Sequence, residues 1–158
     1  MSAPRPEPFV PRFDVVLVRP EIAGNTGNIG RTCMALGCRL HLVHPLGYTL
    51  SDANLRRAGM DYWPLLEKRE HAGLEEWMAS VPDAARVFLF STKAARLFSP
   101  KEIPSGATLV FGNEGHGLPD AVHERWGSGA RRLDMDARAR SLNLSSCVSL
   151  VLGSLLWS

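Results

Sequence analysis

The stretch Asn25-Thr26-Gly27-Asn28-Ile29-Gly30-Arg31 constrains this chain more than any other. It lies between an apolar run, Val15-Val16-Leu17-Val18, and a second apolar stretch ending at Leu36-Gly37. That order predicts a strand, a loop rich in Gly and Asn, and a helix. It sets the loop at the carboxyl edge of a sheet, where the ligand sites of open α/β sheets lie. Arg31 falls in the first helical turn on this reading. Cations are favoured at the other end of a helix, so an Arg here points to a local anion or a directed polar contact. The alternative is a guanidinium turned into water.

Two nucleotide-binding patterns fail against this loop. Gly24, Gly27 and Gly30 are spaced G-x-x-G-x-x-G rather than G-x-G-x-x-G. The next apolar run, Leu40-His41-Leu42-Val43, ends in His44-Pro45 without an acid to hold a ribose hydroxyl. A nicotinamide site is disfavoured. No Gly-Lys-Ser/Thr sequence occurs, which excludes a P-loop.

A chain of 158 residues suffices for one domain with a real core. Residues 1–13 carry four prolines and no continuous apolar segment, so they read as a flexible arm before a single domain over 14–158. No run of 18 apolar residues exists, and a membrane span is not expected. Cys33, Cys38 and Cys147 are odd in number and form no C-x-x-C pair, which fits a reducing cytoplasm. His41 and His44 have no other ligand types nearby in sequence, so no metal site is expected. The basic set is 15 Arg against 3 Lys, with Arg56-Arg57 together and Arg131, Arg132, Arg138 and Arg140 around one late loop. Guanidinium forks suit bidentate phosphate contacts, and local basic patches are compatible with RNA binding.

Further elements follow from pattern. Ser51-Asp52 caps a short helix through Arg57 that Gly59 closes. Residues 74–80 form a helix stopped by Pro82, and 86–90 and 108–111 form strands. Pro119 opens a helix towards Trp126, 131–135 form a last short strand, and 143–157 form a final helix. Near-continuous apolar strands alternating with helices argue for a parallel α/β sheet. The final helix is apolar on too many sides for an ordinary surface helix, leaving burial within the chain or self-association as its two readings.

Three later segments add polar chemistry at the same predicted edge. Phe111-Gly112-Asn113-Glu114-Gly115-His116-Gly117-Leu118 follows a strand, and its three glycines permit close backbone approach. Ser141-Leu142-Asn143-Leu144-Ser145 precedes the last helix; capping explains one of its polar residues but not Ser141, Asn143 and Ser145 together. Ser91-Thr92-Lys93 sits just past the 86–90 strand. Several loops converging at one edge predict one shared pocket.

Residues 25–31, 111–118 and 141–145 resemble the three motifs of the SPOUT-class ribose 2′-O-methyltransferases. Leu55-Arg56-Arg57-Ala58-Gly59-Met60-Asp61-Tyr62 resembles the compact TrmL branch, which methylates the wobble nucleotide of tRNA. The similarity runs from about Val15 to Val151. It implies an α/β fold with a C-terminal trefoil knot, S-adenosylmethionine bound at the knot, no metal, a tRNA substrate and a homodimer whose two subunits build each site. By position, the resemblance assigns catalysis to Asn25, Arg31, Glu114, Ser141 and Asn143. Cofactor contacts would fall on Phe90, Ser91, Thr92, Gly112, Leu133 and Ser141. RNA contacts would fall on Arg31, Arg56, Arg57, Arg138 and Arg140. Two features depart from the family pattern: the sequence ends at Ser158, directly after the last helix, where a further short tail is usual, and Gly153 stands where a larger, often aromatic, residue is usual. Both lie in the expected dimer contact. Besides this reading, 2′-O-methylation of another tRNA or rRNA nucleotide, a non-catalytic RNA-binding module and a small-molecule α/β enzyme stay open.

Overall fold

A computed structural model describes residues 8–51, 53, 57 and 61–157. Among the described residues, six strands form one all-parallel sheet: β1 (Asp14–Val18), β2 (Arg39–Val43), β3 (Lys68–His71), β4 (Val87–Phe90), β5 (Thr108–Phe111) and β6 (Ala130–Arg131). Their spatial order is β3-β2-β1-β5-β4-β6. The chain therefore builds outward from β1 in one direction, then returns to fill the other side. The reversal falls between β1 and β5, which pair from Asp14↔Thr108 to Leu17↔Phe111. A crevice outside the strand ends at such a switch point is where open sheets bind ligands.

Alternating side chains of β1 divide the core into two layers. Val15 and Leu17 join Ile29, Cys33, Trp63, Val148, Val151 and Leu152 on one face. Val16 and Val18 join Trp77, Val110 and Val122 on the other. Helices α1 (Ala23–Leu36) and α4 (Leu144–Trp157) thus share one face, and α2 (Leu74–Ser80) and α3 (Asp120–Trp126) cover the opposite one. Burial of β1 on both faces explains why its sequence is a continuous apolar run.

Where the elements differ from the sequence reading, packing gives the reason. The 25–31 stretch is not a loop: α1 begins at Ala23, so Asn25 to Gly30 are helical and Arg31 sits in its third turn. The expectation of Arg31 in the first turn is corrected, and with it the argument from the helix dipole. Gly and Asn are weak helix formers, but Gly30 lets α1 press on Trp63, where an added Cβ would come within 3.0 Å of the indole. Strand β3, Lys-Arg-Glu-His, carries no apolar pattern; it is a polar edge strand of the kind that resists further pairing. The last strand spans only two residues instead of 131–135. After Arg131 the chain leaves β4: Arg132 N–H donates to Arg96 O at 2.8 Å and Phe98 N–H to Arg132 O at 2.8 Å. Of the expected helix over 51–59, residues 53 and 57 are helical, and the rest lies outside the described residues.

In α4, Leu144, Val148, Val151 and Leu152 are buried at i, i+4, i+7 and i+8, one helical stripe. Leu150 and Trp157 remain 56% and 75% exposed. A Cβ added at Gly153 would meet the Trp157 ring at 3.6 Å, so an aromatic side chain from the next turn lies over the position lacking one.

Candidate active site

The start of α1 has no cap from its own side chains. The carboxylate of Glu114, from the loop after β5, takes that role: it accepts from the N–H groups of Glu21 and Ile22, both at 2.9 Å, and from Asn25 Nδ2 at 3.1 Å. A negative group here satisfies orphan N–H donors and suits the positive end of the helix. Asn25 passes the contact on, its Oδ1 accepting from Asn143 Nδ2 at 3.2 Å. Asn143 also caps α4, its Oδ1 accepting from the N–H groups of Ser145 and Ser146 at 3.0 and 3.3 Å. One chain of hydrogen bonds, Glu114–Asn25–Asn143, therefore ties three segments that are far apart in sequence.

The loop bearing Glu114 closes on itself through reciprocal backbone hydrogen bonds between Asn113 and Gly117, both 3.2 Å. Gly112 is required there, because a Cβ would lie 2.2 Å from the Gly117 carbonyl carbon and 2.5 Å from the Leu118 nitrogen. Gly117 adopts φ 69°, the left-handed region that Gly enters without strain.

Beside this junction opens a cavity of ≈ 590 Å³. Its walls come from Phe90 to Lys93 after β4, Gly112 to Leu118 after β5, Ile22 and Asn25 on α1, Leu133 and Met135, and Ser141 to Leu144 with Cys147. All six expected cofactor contacts line it: Phe90, Ser91, Thr92, Gly112, Leu133 and Ser141. Asn25, Glu114, Ser141 and Asn143 line it too. Arg31 does not; it stands further along α1 with its side chain 66% exposed. A second cavity of ≈ 450 Å³ shares Lys93 and His123 with the first and adds Arg96.

The late arginines divide. Arg131 is 5% exposed and bonds Glu102 at 3.1 Å, while Arg132 Nε donates to Ala94 O at 3.1 Å. Both hold the loop after β4 against β6. Arg138 is exposed and forks onto Asp136 of its own turn at 2.9 and 3.0 Å. Arg140 and Arg57 are exposed, and Arg56 lies outside the described residues. Three histidines fill structural roles: His41 contacts Asp14 at 2.7 Å and His71 at 3.0 Å, and His44 contacts Glu70 at 2.8 Å. Among the described residues no group of three His, Cys, Asp or Glu side chains is placed to hold a metal ion, and no helix is long and apolar enough to cross a membrane.

Two residues near the site have no site role in the sequence reading. Tyr48 donates to Thr26 Oγ1 at 2.6 Å, and burial pushes its phenol up to about 12. Burial likewise pushes the Cys147 thiol up to about 11. Neither ionises near neutrality, so neither serves as a resting base. No residue pattern marked Tyr48; only the folded position of Thr26 reveals it.

The SpoU rRNA Methylase family model matches residues 12–153. The chain belongs to the SpoU methylase family. It is similar to the tRNA (cytidine(34)-2′-O)-methyltransferase of Burkholderia ambifaria, 46% identical over 88% of this chain and 90% of the relative. The enzyme of the same name from Methylovorus glucosotrophus is 41% identical over 89% and 91%. A solved structure concerned with the 2-OH methylation of C/U34 on tRNA superposes with TM-score 0.81, 38% identity and coverage of 92% and 97%. The AdoMet-bound rRNA methyltransferase from Sinorhizobium meliloti gives TM-score 0.77 and 25% identity over 91% of this chain and 55% of that one. Within the SpoU fold, the cavity lies at the strand ends and the exposed Arg31 outside it.

Proposed function

We propose that this chain transfers a methyl group from S-adenosylmethionine to the ribose 2′-hydroxyl at position 34 of tRNA. The observation that carries this reading is the cavity at the β4–β5 edge, walled by the Glu114–Asn25–Asn143 junction, in a chain similar to C34 methyltransferases over nearly its whole length. The walls fit such a cofactor. Phe90, Leu133 and Leu144 offer apolar surface for a base, Ser91, Thr92 and Ser141 offer hydroxyls, and the volume suits a nucleoside with an amino-acid tail. When bound, S-adenosylmethionine supplies an electrophilic methyl group on a sulfonium.

The chain's own residues do the positioning. Glu114 holds the loop after β5 against α1, and with three donors already bonded it acts as an anchor. Asn25 and Asn143 fix the α4 start relative to that loop. Ser141 and Asn143 set the geometry of loop and substrate. Arg31 orients the acceptor hydroxyl and its neighbouring phosphate through its fork of N–H donors. Placement of this kind supplies much of a barrier reduction.

Arg31 stands outside the cavity of its own chain, which supports a homodimer in which a second copy brings its Arg31 to the site. Exposed Leu150 and Trp157 on α4 support an interface there. The reading extends to a single domain over 14–158, the family's trefoil knot, a cytoplasmic location, and RNA contacts through Arg56, Arg57, Arg138 and Arg140. Methyl transfer to purified tRNA, followed by nuclease digestion and mass spectrometry, tests the reaction. A 2′-O-methyl group at position 34 is expected. Cofactor binding without methylation of any nucleotide would refute it.

A further inference from the structure

Asp61, Tyr62 and Trp63 lie outside the cavity, yet they crowd the stretch of α1 that carries Arg31. The Tyr62 hydroxyl donates to the carbonyl of Gly27, the carbonyl that the Arg31 N–H reaches in the i→i−4 ladder of a helix. The Tyr62 ring lies against the Arg31 guanidinium, with Cζ 5.3 Å from the ring centroid. Asp61 Oδ1 stands 4.0 Å from Arg31 Nη2. A Cβ at Gly30 would come within 3.0 Å of Trp63 and 3.2 Å of the Tyr62 oxygen. The missing side chain at position 30 is what lets these two aromatic residues seat against the helix.

For stability alone this arrangement contributes little at Arg31. An ion pair 66% and 89% exposed is worth next to nothing in water, and a solvent-exposed cation over the face of a buried ring adds only slightly more. Its effect is directional. A free Arg side chain samples many rotamers and must lose that freedom before it holds a ligand. A ring on one side and a carboxylate on the other narrow those rotamers in advance. We propose that Tyr62 and Asp61 are positioning residues for Arg31: the ring and the carboxylate fix its guanidinium, and the hydroxyl–Gly27 contact fixes the ring. This rests on the reading of Arg31 as the group that orients the acceptor.

The experiment is single-turnover methylation of tRNA by Arg31→Lys, Tyr62→Phe, Tyr62→Leu, Asp61→Asn and the double variant Arg31→Lys/Tyr62→Phe, with calorimetric affinity for S-adenosylmethionine and thermal midpoints measured alongside. Tyr62→Phe keeps the ring and loses the hydroxyl, so its rate constant should fall about fivefold. Tyr62→Leu loses both and should fall about thirtyfold, and Asp61→Asn should fall about twofold. Cofactor affinity, and the tRNA concentration giving half the maximal single-turnover rate, should hold in each. In the double variant, the Tyr62→Phe loss should vanish, because Lys has no planar fork left to orient. Two outcomes overturn the inference: rates for Tyr62→Phe and Tyr62→Leu equal to the parent's, or a Tyr62→Phe loss that multiplies undiminished onto Arg31→Lys. A fall in Tyr62→Leu matched by an equal fall in cofactor affinity also overturns it, since that is general loosening. If Arg31→Lys itself turns over like the parent, the underlying reading of Arg31 fails instead.

Discussion

Replacing Glu114 by Gln changes one charge and almost no volume, yet it strikes the junction at the start of α1. The carboxylate holds three donors, the N–H groups of Glu21 and Ile22 and the side-chain amide of Asn25. Hydrogen bonds to a charged acceptor are worth roughly 1.5–3 kcal/mol each, and neutral ones about 1. The junction is partly exposed, so the low end applies. In Gln one oxygen becomes an NH₂ that cannot accept, which loses one bond at about 1.5 kcal/mol. The two remaining bonds weaken by about 0.5 kcal/mol each as the charge goes. The expected loss is about 2.5 kcal/mol, equivalent to a fall of roughly 5–10 °C in Tm for a chain of this size. Urea unfolding followed by circular dichroism, at matched protein concentration, measures it. A change below about 0.5 kcal/mol, the range of ordinary surface substitutions, would show that water replaces the carboxylate without cost and that Glu114 does not anchor the helix.

Other outcomes follow from the same geometry. Arg31→Lys should lower methylation at least a hundredfold, on the order of one lost transition-state contact, while calorimetry finds S-adenosylmethionine affinity unchanged; parental turnover would leave Arg31 a surface charge. Gly112→Ala places a Cβ 2.2 Å from backbone, so the loop must open, with about 3 kcal/mol of stability and cofactor binding lost together; a parental urea midpoint would contradict this. His71 is held below its ordinary 6.5 by burial and then by His41, against the opposing pull of Glu76. The unfolded chain then takes up its proton first, so stability should decline as pH falls through 6.5 and level off below the folded value; urea midpoints at pH 8 and 5.5 should converge in His71→Gln. Affinity for tRNA should fall steeply with salt as phosphate contacts release counterions, and a flat dependence would argue against an RNA ligand.

Much of this fold was legible because periodicity and burial agree. Strand β5 falls on Thr108–Phe111 and α2 on Leu74–Ser80, where apolar runs meet clear stops. Polar β3 was missed because an edge strand needs no apolar face, and pairing with β2 alone defines it. The start of α1 was misread because Gly24, Asn25, Gly27 and Asn28 are poor helix formers. The helix persists there through Glu114 and through Trp63 against Gly30, contacts that local sequence does not contain. The cavity walls were legible as loops following strands. That Arg31 faces Tyr62 instead of the cavity was not, since it depends on the helix starting a turn and more earlier.

The junction that closes the site has a temporal side as well. Asn143 lies 118 positions beyond Asn25, and Glu114 lies 89 beyond it. At roughly 5–20 residues per second of synthesis, about 6–24 s separate the appearance of Asn25 from that of Asn143. Until Glu114 follows, 89 positions after Asn25, the N–H groups of Glu21 and Ile22 lack their carboxylate partner and bond water. Contacts between such distant positions also close late in refolding from denaturant. Pulsed hydrogen exchange should therefore find the Glu21 and Ile22 amides protected after those of β1 and β2; early protection would mean the helix start finds another partner first. The start of α1, made early, waits on a loop and a helix made late.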